Sequence, residues 1–207
     1  MTDDILKRRG FFKNSLMNAA KAAYEFHKGT NPVQSKKIVT YGIDYSLRPP
    51  GAVPEKTFLE LCTRCDDCVK TCPAKCIKKS TAKGMAGTPV IMPREEPCVL
   101  CDDLRCIKAC TTGALAPVAR EQVAMGIAQI DKKKCIAWDG ENCQVCSAKC
   151  PFPGEAIVLD DFRPVINEEK CTGCGLCEQA CLAINNRAPI RVVPSKLLSI
   201  IQWRNKI

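Results

Sequence analysis

The stretch Cys62-Thr-Arg-Cys65-Asp-Asp-Cys68-Val-Lys-Thr-Cys72-Pro73 decides the fold of this chain, because it places four thiols within eleven residues. The stretch from Cys171 to Cys181 repeats its spacing of two, two and three intervening residues. Two wider groups lie between them: Cys98, Cys101, Cys106 and Cys110, then Cys135, Cys143, Cys146 and Cys150. The four groups begin 36 or 37 residues apart, which indicates one structural unit repeated four times.

The cysteines lie too close together in sequence for a disulfide scaffold. The chain has 17 cysteines in 207 residues, and a disulfide framework expects an even number at separations that span loops. Aromatic residues are only 5% of the chain, whereas it holds 12 glycines and 14 prolines. Since such a composition gives a thin, turn-rich core, we expect bound groups to stabilise the fold.

The compact groups reproduce the cysteine run of bacterial ferredoxins. In that run three thiolates on a loop bind one cluster, and the fourth binds the neighbouring cluster. Pro73 and Pro151 complete the signature after the first and third groups, whereas Thr111 and Leu182 replace proline after the other two. Zinc ribbons and fingers instead pair two CxxC halves across a longer spacer. The pattern therefore predicts four [4Fe-4S] clusters whose iron is bound by cysteine, with zinc as the weaker alternative.

Four groups imply two ferredoxin-like units, and two pairings of the groups are compatible with that. Shared spacing favours a nested arrangement, in which the compact first and last groups form an outer unit and the two wider groups form an inner one. In the outer unit, one cluster is bound by Cys62, Cys65, Cys68 and Cys181, and its partner by Cys171, Cys174, Cys177 and Cys72. In the inner unit, the sets are Cys98, Cys101, Cys106 and Cys150, then Cys135, Cys143, Cys146 and Cys110.

The seventeenth cysteine, Cys76, falls outside the four groups. Buried free cysteine behaves as a small hydrophobic residue. We therefore interpret Cys76 as a packing residue behind the first cluster loop and leave it out of the ligand set.

Short apolar runs around the groups predict strands, and the fold class is α+β. The runs are Thr88–Met92, Gly126–Ile130, Ala156–Leu159, Arg163–Asn167 and Ile190–Val193. A short helix is expected to begin at each fourth cysteine. The four-cluster domain spans residues 47–194, with the outer unit formed by 55–80 and 165–193 and the inner unit by 88–160.

The formal net charge of +9 is concentrated at the two ends of the chain. Residues 1–50 and 186–207 each carry a net charge of +5, whereas residues 51–185 carry −1. Sixteen ligand thiolates around four oxidised cluster cores add about −2 per cluster, so the loaded core is acidic. Basic tails on an acidic core favour packing against that core, a partner or an anionic surface, and nucleic-acid binding is disfavoured.

The N-terminal extension, residues 1–46, contains Arg8-Arg9-Gly10-Phe11-Phe12-Lys13, which resembles a twin-arginine export motif. Charged residues interrupt the segment that follows, which instead shows the period of an amphipathic helix. Residues 195–207 predict a second, basic amphipathic helix after Pro194. No run reaches the roughly 18 apolar residues of a transmembrane helix. We expect a cytoplasmic protein, with periplasmic export through a degenerate signal as the alternative.

From Leu47-Arg-Pro-Pro-Gly-Ala52 to Val192-Val-Pro194, the chain resembles the NapG/MauM-type ferredoxin proteins. The resemblance rests on that opening motif, the CxxCxxCxxxCP first group and the widened second and third groups. It implies a four-cluster electron carrier that works beside a membrane quinol-oxidising partner and feeds a redox enzyme. It also implies that the sixteen grouped cysteines are the cluster ligands, and related four-cluster subunits imply the nested pairing.

These patterns predict a protein that relays single electrons between a donor and an acceptor subunit, without a substrate site of its own. Two other hypotheses remain open at this point. In the first, the chain is a maturation or assembly factor whose clusters are structural. In the second, it is the electron-transfer subunit of a soluble tungsten or molybdenum oxidoreductase.

Overall fold

The computed structural model describes residues 44–198, which form short helices and three two-stranded sheets. The helices are α1 (Glu55–Leu61), α2 (Asp67–Thr71), α3 (Arg105–Lys108), α4 (Val145–Ala148) and α5 (Leu176–Ile184). The strands are β1 (Ile77–Lys79), β2 (Pro89–Ile91), β3 (Gly126–Ile130), β4 (Ile157–Asp160), β5 (Arg163–Ile166) and β6 (Ile190–Pro194). The α+β class and the five predicted strands are confirmed.

Each sheet is an antiparallel pair whose two strands belong to the same half of the described chain. β1 pairs with β2, β4 with β5, and β3 with β6. In the N-terminal half, isolated bridges join Leu47 to Ile91 and Ala52 to Leu115. Residues 44–118 and 123–196 therefore each close on themselves, as two units in tandem.

This strand pairing contradicts the nested domain boundaries. The predicted outer unit, 55–80 with 165–193, contains β1 and β6, but their partners β2 and β3 lie in the predicted inner unit, 88–160. A tight turn at Asp161 and Phe162, both with positive φ, connects β4 directly to β5. Two-residue turns of this kind match the twist of a hairpin and close it at little entropic cost. Neighbouring groups therefore pair, whatever their spacing.

The short helices begin at the third cysteine of each group rather than at the fourth, which corrects the prediction. Asp66, Leu104 and Gly175 adopt left-handed backbone conformations immediately before α2, α3 and α5. This bend turns the cluster loop into the helix. Pro73 and Pro151 follow the fourth cysteine, where a helix cannot continue because proline lacks the backbone donor.

The opening motif clamps the first unit together. Leu47 is fully buried and exchanges two 2.9 Å backbone hydrogen bonds with Ile91. The Arg48 guanidinium donates to both carboxylate oxygens of Glu55 and to Thr88 Oγ1, and it lies 4.5 Å over the Phe58 ring. A single buried cation thus ties the entry segment, α1 and β2 together.

A second close approach fixes the last cluster loop. A Cβ atom on Gly173, whose φ is +71°, would lie 2.4 Å from the backbone nitrogen of Gly126 at the start of β3. Only glycine permits this contact. The loop from Cys171 to Cys177 is therefore held directly against the sheet formed by β3 and β6.

The predicted tail helices fall mostly outside the described residues. Residues 1–43 of the N-terminal extension, with the twin-arginine-like motif, lie there, whereas a helix begins at Ser195 and is described to Leu198. Lys196 Nζ reaches Asp44 Oδ2 at 2.7 Å. Between residues 44 and 198, no helix has the length and apolar character needed to cross a membrane.

Candidate functional site

The first centre is a cavity lined by Cys62, Cys65, Cys68 and Cys110. Cys62 and Cys65 come from the segment between α1 and α2, Cys68 lies in α2, and Cys110 comes from the segment after α3. The buried Phe58 forms part of the wall. The compact first group thus takes its fourth thiol from the second group.

The second centre is lined by Cys98, Cys101, Cys106 and Cys72, the reciprocal set. Cys98 and Cys106 are buried, and Cys72 enters from the end of α2. The two centres of this unit therefore exchange their fourth cysteines, as a two-cluster ferredoxin requires.

The third centre repeats this arrangement in the second unit. Cys135, Cys143, Cys146 and Cys181 line one cavity, with Cys181 contributed by α5. Burial, followed by the adjacent Cys135 and Cys143, raises the pKa of Cys181 to about 11.

The fourth centre brings Cys171, Cys174 and Cys177 together with Cys150. Burial raises the pKa of Cys177 well above its ordinary value, and the neighbouring Cys174, Cys171, Cys146 and Cys150 add to the effect. The pKa of Cys150 is also raised, by burial and by the nearby Cys171. The third and fourth centres thus exchange their fourth cysteines, as the first and second centres do.

The nested pairing of cysteines predicted from spacing is therefore wrong in its fourth positions. The structure places Cys110, not Cys181, with the first group, and Cys72 with the second group rather than the last. It likewise places Cys181 with the third group and Cys150 with the last. The physical reason is the local strand pairing, which folds each group against its neighbour in sequence.

Several buried thiols lie in an environment that opposes negative charge unless a cation is bound. Burial, together with Cys62 and Cys65, raises the pKa of Cys68 to about 11, and burial raises that of Cys146 to about 12. At Cys110, hydrogen bonds outweigh burial and lower the pKa, and one of them is donated by Leu115 N to Cys110 Sγ at 3.4 Å. Ala128 N donates to Cys171 Sγ at 3.4 Å. Such groups give up their protons when iron binds.

The donor chemistry fits iron–sulfur clusters. All seventeen cysteines lie within the described chain, and each is a free thiol rather than half of a disulfide. Across residues 44–198, no three Cys, His, Asp or Glu side chains converge as the ligands of a single metal ion would. At least four thiols instead line each of the three cavities, and a cubane with four iron corners requires four.

The second and fourth centres lie side by side across the contact between the two units. Cys98 N donates to the Cys174 carbonyl oxygen at 3.0 Å. Next to this hydrogen bond, a Cβ atom on Gly175 would lie 2.4 Å from Pro93 Cβ, so the two segments of the chain approach as closely as a glycine allows. The cysteine loops of two different units are thus joined by a backbone hydrogen bond.

A buried carboxylate fixes this contact. Glu178 on α5 is 3% exposed and accepts hydrogen bonds from Arg94 Nε at 2.5 Å and from Val192 N at 2.7 Å. Arg94 belongs to the first unit, whereas Val192 lies on β6 of the second. Sequence reasoning missed Glu178, because a glutamate between two cysteines of a helix gives no sign that it is buried.

Cys76 is buried as predicted, with 2% exposure, but it faces a centre rather than the packing behind it. Its side chain lines the second cavity together with the four thiols of that centre. Its Sγ lies 3.6 Å from Cys72 Sγ. The second centre is therefore surrounded by five thiols.

Comparison with known proteins finds relatives of the ferredoxin type. The chain is 41% identical to the methylamine utilization ferredoxin-type protein MauM of Methylobacillus flagellatus over 164 residues, which are 73% of this chain and 69% of that protein. It is 38% identical to the ferredoxin-type protein NapG of Escherichia coli over 167 residues, 73% and 71% of the two chains. The chain belongs to the MauM and NapG family of ferredoxin-type proteins.

Within this family member, a 4Fe-4S binding domain matches residues 164–181. That segment runs from β5 through the fourth cysteine group into α5. No solved structure gives a significant match to the chain. The resemblance expected from the sequence is confirmed, and the protein is an iron–sulfur protein of the ferredoxin type.

Proposed function

We propose that this protein holds four [4Fe-4S] clusters and relays single electrons through them between a donor and an acceptor protein. The proposal is supported by three cavities that are each lined by at least four thiols, by the proximity of Cys150 to Cys171 and Cys177, and by the backbone hydrogen bond from Cys98 to Cys174. A [4Fe-4S] cluster takes up and releases one electron at a time. The chain acts as a carrier, without a substrate of its own.

The ligands follow the tandem pairing. The first and second centres use Cys62, Cys65, Cys68 and Cys110, then Cys98, Cys101, Cys106 and Cys72. The third and fourth centres use Cys135, Cys143, Cys146 and Cys181, then Cys171, Cys174, Cys177 and Cys150. Hydrogen bonds to Cys110 and Cys171 and the burial of the thiols set the cluster potentials.

The contacts between centres define a route. Exchange of the fourth cysteines places the first centre beside the second, and the third beside the fourth. The backbone hydrogen bond from Cys98 N to the Cys174 carbonyl oxygen supports a position of the second centre beside the fourth centre. Electrons therefore pass in the order first, second, fourth, third, or in the reverse order.

A surface at the first centre is suited to a redox partner. Cys65 is exposed and Cys62 is partly exposed, in contrast to the buried Cys98, Cys174 and Cys177 in the middle of the route. An exposed cluster edge is where a partner's redox group can approach. The resemblance to the family favours a membrane quinol dehydrogenase as donor and an oxidoreductase as acceptor. A cytoplasmic location, with periplasmic export as the alternative, stays a prediction.

Iron and acid-labile sulfide analysis of anaerobically purified protein tests the cofactor content. We expect about sixteen iron and sixteen sulfide atoms per chain, because each [4Fe-4S] cluster holds four of each. A potentiometric titration followed by EPR then tests the relay, and we expect each centre to be reduced and reoxidised reversibly. Zinc in place of iron would contradict the cofactor, and clusters that accept no electron would contradict the relay.

A further inference from the structure

Cys76 occupies a position that the second group fills with alanine. Cys76 follows Cys72 by four residues and precedes Ile77, whereas Ala114 follows Cys110 by four residues and precedes Leu115. Cys76 and Ala114 are both 2% exposed. A thiol is thus present beside one centre where the equivalent position of the other centre has only a methyl group.

The geometry places this thiol within reach of an iron position. A thiolate binds a metal ion at about 2.3 Å, so two sulfur atoms less than about 4.6 Å apart can reach the same iron in turn. Cys76 Sγ and Cys72 Sγ are separated by 3.6 Å. The cavity that Cys76 lines is the one formed by Cys72, Cys98, Cys101 and Cys106, and its other thiol neighbour is Cys98.

We propose that Cys76 is a fifth sulfur donor of the second centre and shares one iron position with Cys72. The proposal rests on the cluster content proposed above. An iron in a cubane keeps three sulfides and one cysteine, so one of the two thiols binds while the other stays protonated beside it. In the exchange, the bond from iron to Cys72 sulfur breaks, the bond from iron to Cys76 sulfur forms, and the Cys76 proton passes to Cys72. No electron is gained or lost.

Paired substitutions in the full-length protein test this. Cys72→Ala and Cys110→Ala each remove the fourth cysteine of a centre. Only at the Cys72 position does another thiol, that of Cys76, lie next to the lost sulfur. After anaerobic purification we expect the Cys72→Ala protein to keep about sixteen iron atoms per chain, as in the wild type. We expect the Cys110→Ala protein to lose at least the iron that Cys110 binds and up to all four of that centre.

Two further variants assign the effect to Cys76. The Cys72→Ala/Cys76→Ala protein should lose iron as the Cys110→Ala protein does, whereas Cys76→Ala alone should keep the wild-type iron content. Moving the donor by Cys110→Ala/Ala114→Cys should restore iron to the first centre. Far-UV circular dichroism of each variant reports whether the chain still folds.

The outcomes separate this proposal from the proposed function. If the wild type holds about sixteen iron atoms and the Cys72→Ala protein loses as much iron as the Cys110→Ala protein, the role of Cys76 is overturned. The proposal that the wild type holds four clusters then still stands. A wild-type chain that binds no iron overturns both. Equal iron content in Cys72→Ala and Cys72→Ala/Cys76→Ala likewise overturns the role of Cys76.

Discussion

Double substitution of cysteines tests the tandem pairing directly. The structure places Cys62 and Cys110 at the same centre and Cys181 at a different one. The nested pairing places Cys62 and Cys181 together instead. Combining Cys62→Ala with either Cys110→Ala or Cys181→Ala therefore asks which fourth cysteine belongs to the first group.

The expected losses follow from shared or separate centres. If each single substitution removes a whole cluster, about twelve of about sixteen iron atoms remain. The Cys62→Ala/Cys110→Ala protein should also retain about twelve, because both changes remove the same cluster. The Cys62→Ala/Cys181→Ala protein should retain only about eight, because two clusters are lost.

Iron per chain, measured on anaerobically purified protein, gives these losses, and spin-counted EPR after full reduction counts the centres that remain. The single variants serve as controls for each double variant. Additive loss in the Cys62→Ala/Cys110→Ala protein, together with shared loss in the Cys62→Ala/Cys181→Ala protein, would refute the tandem pairing.

Three other substitutions address stability and the seating of a loop. Glu178→Ala leaves a partly buried guanidinium without its carboxylate and should lower the free energy of unfolding by about 3–5 kcal/mol in anaerobic urea titrations, whereas the exposed Glu155→Ala should have little effect. Gly173→Ala forces a Cβ atom to within 2.4 Å of a backbone nitrogen and should reduce iron at the fourth centre alone, as seen by iron analysis and EPR. The hydrogen bond from Arg48 lowers the pKa of Glu55 below its ordinary value of 4.5. A depressed folded-state pKa stabilises the fold above about pH 4.5 and loses that effect as the pH falls, so the difference in urea midpoint between wild type and Glu55→Gln should shrink below that pH; a difference independent of pH would contradict it.

Five of the six strands in the described residues, though not β1, were predictable from sequence because each is a local pattern. Runs such as Gly126–Ile130 and Ile190–Val193 combine β-branched residues with flanking turn residues, and the structure places strands there. The pairing of groups was not predictable from spacing, because spacing records the shape of a loop and not its partner. The informative signal was the hairpin at Asp161 and Phe162, whose positive φ values are not evident from the residue types.

The position of Cys76 shows a similar division. Its burial followed from general preference, since free cysteine is among the most buried residues. Its direction toward the second centre did not, because four residues after Cys72 the chain has already left the cluster loop. Aligning the groups by their fourth cysteines would have revealed it, since Cys76 then matches Ala114 beside the neighbouring centre.

Tandem pairing has a consequence for how electrons cross the molecule. Each unit closes through its own strand pairs, so the route between units depends on the surface where they meet. At that surface Cys98 N donates a hydrogen bond to the Cys174 carbonyl oxygen, and Gly175 allows the close approach to Pro93. Glu178 accepts a hydrogen bond from Arg94 across the contact. These groups act on the distance between the second and fourth centres rather than on the ligands themselves. Stability at this contact and the proposed electron transfer between the two units therefore depend on the same residues.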